Sequence, residues 1–121
     1  MMGVGYRKLM VWQHAKALAV QVYQLTGMDL WNKDWGLRDQ VRRAAVSVPS
    51  NIAEGDARSS DKDSIRFFRI ALGSLAELET QLEIAKEIGY LTEEQLAALL
   101  GRTEPLGGSL GALIRSRKPK P

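Results

Sequence analysis

SDKDSIRFFRIALGSLAELETQLEIAKEIG, the stretch from Ser60 to Gly89, decides the fold class. Phe68, Ala71, Leu75, Leu78, Leu82 and Ala85 recur at spacings of three and four residues without interruption, so one face of a helical period is apolar throughout. Ser60-Asp61-Lys62-Asp63 resembles a capping box: the Ser60 hydroxyl faces the Asp63 amide, and two carboxylates lie near the positive end of the helix dipole. Gly89, directly after Ile88, supplies the stop. A single long helix with one apolar stripe needs neighbours to bury that stripe.

The flanking sequence supplies them. From Leu37 a second helical period runs through Val41, Ala44, Ala45, Val48 and Ile52 towards Gly55, with Arg38, Arg42 and Arg43 on other faces. Pro49 deprives the Ala45 carbonyl of its partner and clashes with it, which predicts a kink, or a break restarted by Ser50 or Asn51. Further upstream, Trp12, Ala15, Ala19 and Val22 mark a helix over about Leu9 to Leu25, widened by Val11 and Leu18 and ended near Gly27. Met28 to Gly36 reads as a loop anchored by Trp31 and Trp35. Downstream, Thr92-Glu93-Glu94-Gln95 is a second capping box, followed by a seam of Leu96, Leu99, Leu106, Leu110 and Leu113 with Thr103 in the missing slot. Gly101, Gly107, Gly108 and Gly111 each cost this last helix up to ~1 kcal/mol and Pro105 ~3 kcal/mol, so packing must hold it or it frays. Residues 115–121 are expected to form a basic disordered tail after a 1–114 domain. With no strand-like alternation and short connections, the expected fold is all-α, an antiparallel up-down four-helix bundle.

Composition narrows function. The chain has 121 residues, 45% hydrophobic and 26% charged, with 17 Lys and Arg against 14 Asp and Glu for a net charge of +3. That describes one ordinary globular domain. With no cysteine there is no thiolate nucleophile, disulfide or Cys metal site. A single histidine, His14, disfavours multi-His metal sites, and Glu79, Glu83 and Glu87 lack the Glu-x-x-His pairs of di-metal bundles. No apolar run approaches the ~18 residues of a membrane span, and a signal-peptide pattern is lacking, so a cytoplasmic protein without cofactor or metal is expected. In the run Ser47-Val48-Pro49-Ser50-Asn51-Ile52-Ala53-Glu54-Gly55 the polar residues have no convincing base to activate a nucleophile, and packing or capping suits them better than catalysis.

Charge placement is the stronger clue. Arg38, Arg42, Arg43 and Arg58 cluster around the second helix, and Arg66 and Arg69 open the third. An antiparallel hairpin is expected to bring these two groups onto one region, a candidate phosphate-binding surface. The competing reading is a solvated charged surface with local ion pairs, since Asp34, Asp39, Glu54 and Asp56 interleave with the arginines. Glu77, Glu79, Glu83 and Glu87 occupy the later half of the third helix, so the small net charge conceals a polar separation. Phe67 and Phe68 cannot share one core line, which leaves one of them for a partner subunit or for internal packing in a well-buried helix.

Three segments together resemble a known family: Leu9-x-Val11-Trp12-x-x-Ala15, then Gly36-Leu37-x-x-Gln40-Val41-Arg42-Arg43-Ala44-Ala45-Val46-Ser47-Val48-Pro49-Ser50-Asn51-Ile52-Ala53-Glu54-Gly55, then Phe67-x-x-Ile70-Ala71-x-Gly73-Ser74-x-x-Glu77-Leu78-Glu79-Thr80. They look like the four-helix-bundle family of 23S rRNA intervening-sequence proteins, to which the accessory variability determinants of diversity-generating retroelements are related. The resemblance covers about residues 7 to 115. It implies a barrel-like homopentamer with a surface suited to nucleic acid, and it carries over Ser47, Pro49, Asn51, Glu54, Gly55, Gly73, Ser74 and Glu77 as signature residues of fold and assembly. The expected function is then non-catalytic binding of structured RNA or an RNA–DNA hybrid through Arg38, Arg42, Arg43, Arg58, Arg66 and Arg69. The alternative is a scaffold for another protein such as a reverse transcriptase.

Overall fold

A computed structural model describes residues 5–118 and shows four helices: α1 (Met10–Thr26), α2 (Trp35–Asp56), α3 (Asp61–Glu87) and α4 (Glu93–Arg117). Short 3-10 turns precede α1 (Tyr6–Lys8) and join α1 to α2 (Asp29–Lys33). Each helix packs on the next and α4 returns to α1, which closes a four-sided bundle. The apolar stripes read from the sequence meet at its centre, where Leu18, Val22, Val41, Val48, Ile52, Ala71, Leu78, Leu82, Leu99 and Leu110 are buried.

The caps form as their residue types dictate. Ser60 Oγ accepts from the Asp63 amide at 3.2 Å. Thr92 and Gln95 exchange reciprocal bonds, the Gln95 amide to Thr92 Oγ1 at 3.1 Å and the Thr92 amide to Gln95 Oε1 at 2.9 Å. Asp34 caps α2 by accepting from the Leu37 amide, so the helix starts at Trp35 rather than Leu37. At the end of α3, Gly89 takes φ +89°, and the Tyr90 and Gly89 amides donate back to the Ala85 and Lys86 carbonyls. This is a Schellman stop, and its left-handed residue favours glycine.

The structure narrows two expectations and corrects two others. α2 runs through Pro49 without a break, because the buried proline ring lies against α1 in the groove lined by Ala19 and Tyr23, and this packing offsets the lost backbone bond. The 28–36 connection is not a plain loop: it contains a 3-10 turn and buries only Trp31 of its two tryptophans, leaving Trp35 67% exposed. α4 is continuous through Pro105 and its glycines, held by buried Leu96, Leu99, Leu106, Leu110 and Ile114; Leu113 is only half-buried, so the seam ends one residue later than the heptad. α4 also continues past residue 114 to Arg117, where Arg117 bonds Asp56 Oδ1 at 3.0 Å and so ties the supposed tail to α2. The remaining tail residues, 119–121, lie outside the described residues.

Candidate nucleic-acid interface

Polar contacts between helices fix how the arginines are placed. Ser47 Oγ meets Ser74 Oγ at 2.7 Å, and Ser64 Oγ donates to the Gly55 carbonyl at 2.7 Å. These pairings set the α2/α3 register: residues near the hairpin apex face each other, and residues far from it do likewise. Arg58, Arg66 and Arg69 therefore sit at the apex, whereas Arg38, Arg42 and Arg43 lie opposite the glutamate-bearing half of α3. About a dozen residues of α2, ~20 Å at the helical rise, separate Arg42 from the apex. The single arginine surface expected from the sequence is thus spread along the hairpin, with Arg58, Arg66 and Arg69 near the apex, Arg38 and Arg42 far from it, and Arg43 between them in a cleft with Ser47 and Glu77.

The far group is mostly committed to holding the fold. Arg42 Nε donates to Thr26 Oγ1 at 2.7 Å and its Nη2 to the Tyr23 carbonyl at 3.2 Å, with the guanidinium 4.4 Å from the Tyr23 ring centre. It thereby satisfies an orphan carbonyl at the end of α1 and clamps α1 to α2. Arg38 Nη1 bonds Asn32 Oδ1 at 3.1 Å and supports the 3-10 turn. Arg43 is exposed and has neither ion pair nor hydrogen bond among the described residues.

The apex group is open to solvent. Arg58 pairs with Glu54 Oε2 at 2.8 Å, and Arg58 and Arg66 both lie over the Phe67 ring, 4.4 and 4.8 Å from its centre. Phe67, the aromatic expected to face either a partner or the core, is thus half-buried under two guanidiniums, while Phe68 is fully buried in the core. Lys62, Arg66 and Arg69 recur at helical spacing and, with Arg117, line a cleft of about 770 Å³ whose floor includes Ile65 and Ile70. Arg66 and Arg69 carry no ion pair or hydrogen bond among the described residues.

Two further groups join this end, and sequence reasoning missed the first. The Tyr6–Lys8 turn lies against α1 and α2 and brings in Arg7 and Lys8, while the last turn of α4 brings Arg115, Arg117 and Lys118. Nine cations (Arg7, Lys8, Arg58, Lys62, Arg66, Arg69, Arg115, Arg117, Lys118) thus face four carboxylates (Glu54, Asp56, Asp61, Asp63). The opposite end reverses the balance: Lys33, Arg38, Arg42, Arg43 and Lys86 against Asp29, Asp34, Asp39, Glu77, Glu79, Glu83, Glu87, Glu93 and Glu94. The two ends of the bundle thus carry opposite charge balances. At the acidic end Tyr90 donates to Asp34 Oδ2 at 3.1 Å, and that bond to a carboxylate raises the Tyr90 pKa from its ordinary value of 10.0.

Five of the eight signature residues, Ser47, Pro49, Asn51, Gly55 and Ser74, lie at contacts between helices. Asn51 Nδ2 donates to the Ser47 carbonyl at 2.8 Å and to Ser47 Oγ at 2.9 Å, so Ser47, Asn51 and Ser74 form one knot between α2 and α3. A Cβ on Gly55 would lie 2.6 Å from Phe68 Cε1. Pro49 is buried, Glu54 pairs with Arg58, and Gly73 and Glu77 are exposed on α3. Among the described residues there is no group of three His, Cys, Asp or Glu placed to hold a metal, and no helix is long and apolar enough to cross a membrane.

A family model described as 23S rRNA-intervening sequence protein matches residues 7–112. The chain is also similar to a solved structure from Bacteroides thetaiotaomicron, a protein of unknown function from the S23 ribosomal protein family, with a TM-score of 0.80 and 25% identity over 88% of this chain and 99% of that one. No curated protein matches the sequence.

Proposed function

The chain belongs to the 23S rRNA-intervening sequence protein family, and from that premise we propose that it is a non-catalytic, cytoplasmic bundle that assembles as a homopentamer and binds structured RNA or an RNA–DNA hybrid by its phosphates. The observation that carries this reading is the basic end, where nine cations face four carboxylates and Arg66 and Arg69 have no ion pair. A ring that aligns five such ends concentrates their charge, which compensates for a net charge of only +3 per chain. Recognition is of backbone and shape: the ring best placed to stack on a base, Phe67, is already covered by Arg58 and Arg66. The test is a fluorescence-anisotropy titration with a labelled RNA hairpin and a matched RNA–DNA hybrid. Affinity is expected to fall steeply between about 50 and 200 mM salt, and binding indifferent to salt would overturn the reading.

The acidic end supports a second reading. Leu30, Trp35, Ile84 and Ile88 are 48–67% exposed there, among carboxylates that repel phosphate. Such a surface suits a basic protein partner, for example a reverse transcriptase, with the bundle as its scaffold. Partner binding that survives reversal of Arg66 and Arg69 but is lost with Trp35→Ala and Ile88→Ala would favour it.

A further inference from the structure

The basic end contains apolar surface that a phosphate backbone leaves uncovered. Its cleft of about 770 Å³ runs along the first turns of α3 and takes in Arg117 from the last turn of α4. That volume falls within the roughly 300–1,000 Å³ of pockets that enclose small molecules. The floor includes Ile65 and Ile70, and Ile70 is 42% exposed. Most of the lining is apolar, because Lys62, Arg66 and Arg69 contribute aliphatic stems as well as charged heads.

The charges around this floor describe what would cover it. Arg117 is already held by Asp56 at 3.0 Å, whereas Arg66 and Arg69 have neither ion pair nor hydrogen bond among the described residues. Two open guanidiniums beside isoleucine suit a ligand with an anionic head and an apolar body, since each guanidinium can grip a carboxylate with two parallel donors. Asp61 and Asp63 also line the cleft, and they repel a run of anionic groups while leaving room for one. Among the described residues no aromatic ring lines it, so an aliphatic body fits better than a base that needs a stacking partner. From Asp61 to Ile70 the helix rises ~14 Å, the reach of an extended chain of about ten carbons.

We propose that this cleft binds a free aliphatic carboxylate of the fatty-acid class, whose head pairs with Arg66 and Arg69 and whose chain covers Ile65 and Ile70. Occupancy takes the two open guanidiniums out of solvent, so the bound amphiphile competes with RNA for the basic end. That competition rests on the RNA reading proposed above, whereas the binding site itself does not.

Calorimetric titration of the full chain tests it with hexanoate, octanoate, decanoate and dodecanoate, each below its micelle threshold. Affinity is expected to rise about threefold or more with each two added methylenes up to decanoate, because each covers more of the floor. Decanol, which has the chain without the charge, is expected to bind at least about tenfold more weakly than decanoate. Ile70→Gln should flatten the dependence on chain length, and Arg66→Gln with Arg69→Gln should weaken decanoate about tenfold, all with helicity unchanged by circular dichroism. Affinity indifferent to chain length, decanol equal to decanoate, or variants that bind decanoate as the wild type does would each overturn the proposal. Sedimentation with phosphatidylglycerol vesicles without binding of monomeric decanoate would overturn it too, by assigning the cleft to a membrane surface. Decanoate is finally expected to release a labelled RNA hairpin at fixed salt, and binding without release would overturn the competition. The calorimetry contains no RNA, so failure of the amphiphile site and failure of RNA binding are read separately.

Discussion

The two ends of the bundle use arginine for opposite purposes. At the acidic end Arg42 is consumed by Thr26 and Tyr23 and so acts as a strut between α1 and α2, while Arg38 is held to Asn32 by Nη1 with its Nε buried away from solvent. At the basic end Arg66 and Arg69 stand in solvent without an ion pair, and Lys62 lies on the same face. A guanidinium with its donors already satisfied by the protein has little to offer a phosphate, whereas one that is hydrated and surrounded by like charge gains from meeting one. The difference teaches that counting arginines along a segment overstates a binding surface unless each donor is traced to its acceptor.

The largest effect is expected from reversing the open end. Arg66→Glu with Arg69→Glu should weaken RNA binding by about a hundredfold or more and flatten its salt dependence, whereas Glu83→Lys with Glu87→Lys should leave it intact or strengthen it. Anisotropy titrations at matched salt compare the two. Next comes the packing that carries the apex: Gly55→Val drives a side chain into Phe68 and should cost about 1–3 kcal/mol or more, read as a lowered urea midpoint. A similar loss of about 1–2 kcal/mol is expected for Arg42→Ala, with the RNA salt slope unchanged; a slope that falls by about one would show Arg42 touching phosphate after all.

The smallest effect concerns Tyr90. Its raised pKa means the folded state holds the phenolic proton more tightly than the unfolded chain, so the contribution is fully present below about pH 10 and is lost as pH rises through the folded value. Tyr90→Phe should remove this alkaline sensitivity while sparing RNA binding. Chemical denaturation across pH 9 to about 11 tests it.

Much of the fold was legible because its cues are local. The Ser60 and Thr92 caps, the Gly89 stop and the three-four apolar spacing of α3 follow from neighbouring residues alone, and each appears in the structure. The site was less legible. The apex at residues 57–60 already implied that Arg42 and Arg66 lie at unequal distances from the turn, yet the expectation of one arginine surface overlooked that register. No local signal announced that Arg7 and Lys8 would join Arg66, since that depends on the direction in which all four helices run.

The sequence by itself determined the four amphipathic helices, their caps, and the crowding of acid into the second half of α3. These depend on backbone hydrogen bonding and side-chain period, which operate over a few residues. Only the tertiary structure decided which arginines remain open and how chain segments far apart in sequence combine into one basic end. Those outcomes depend on the register of one helix against another, set by side-chain packing and interhelical contacts such as Ser47 to Ser74, and by the close approach that Gly55 permits.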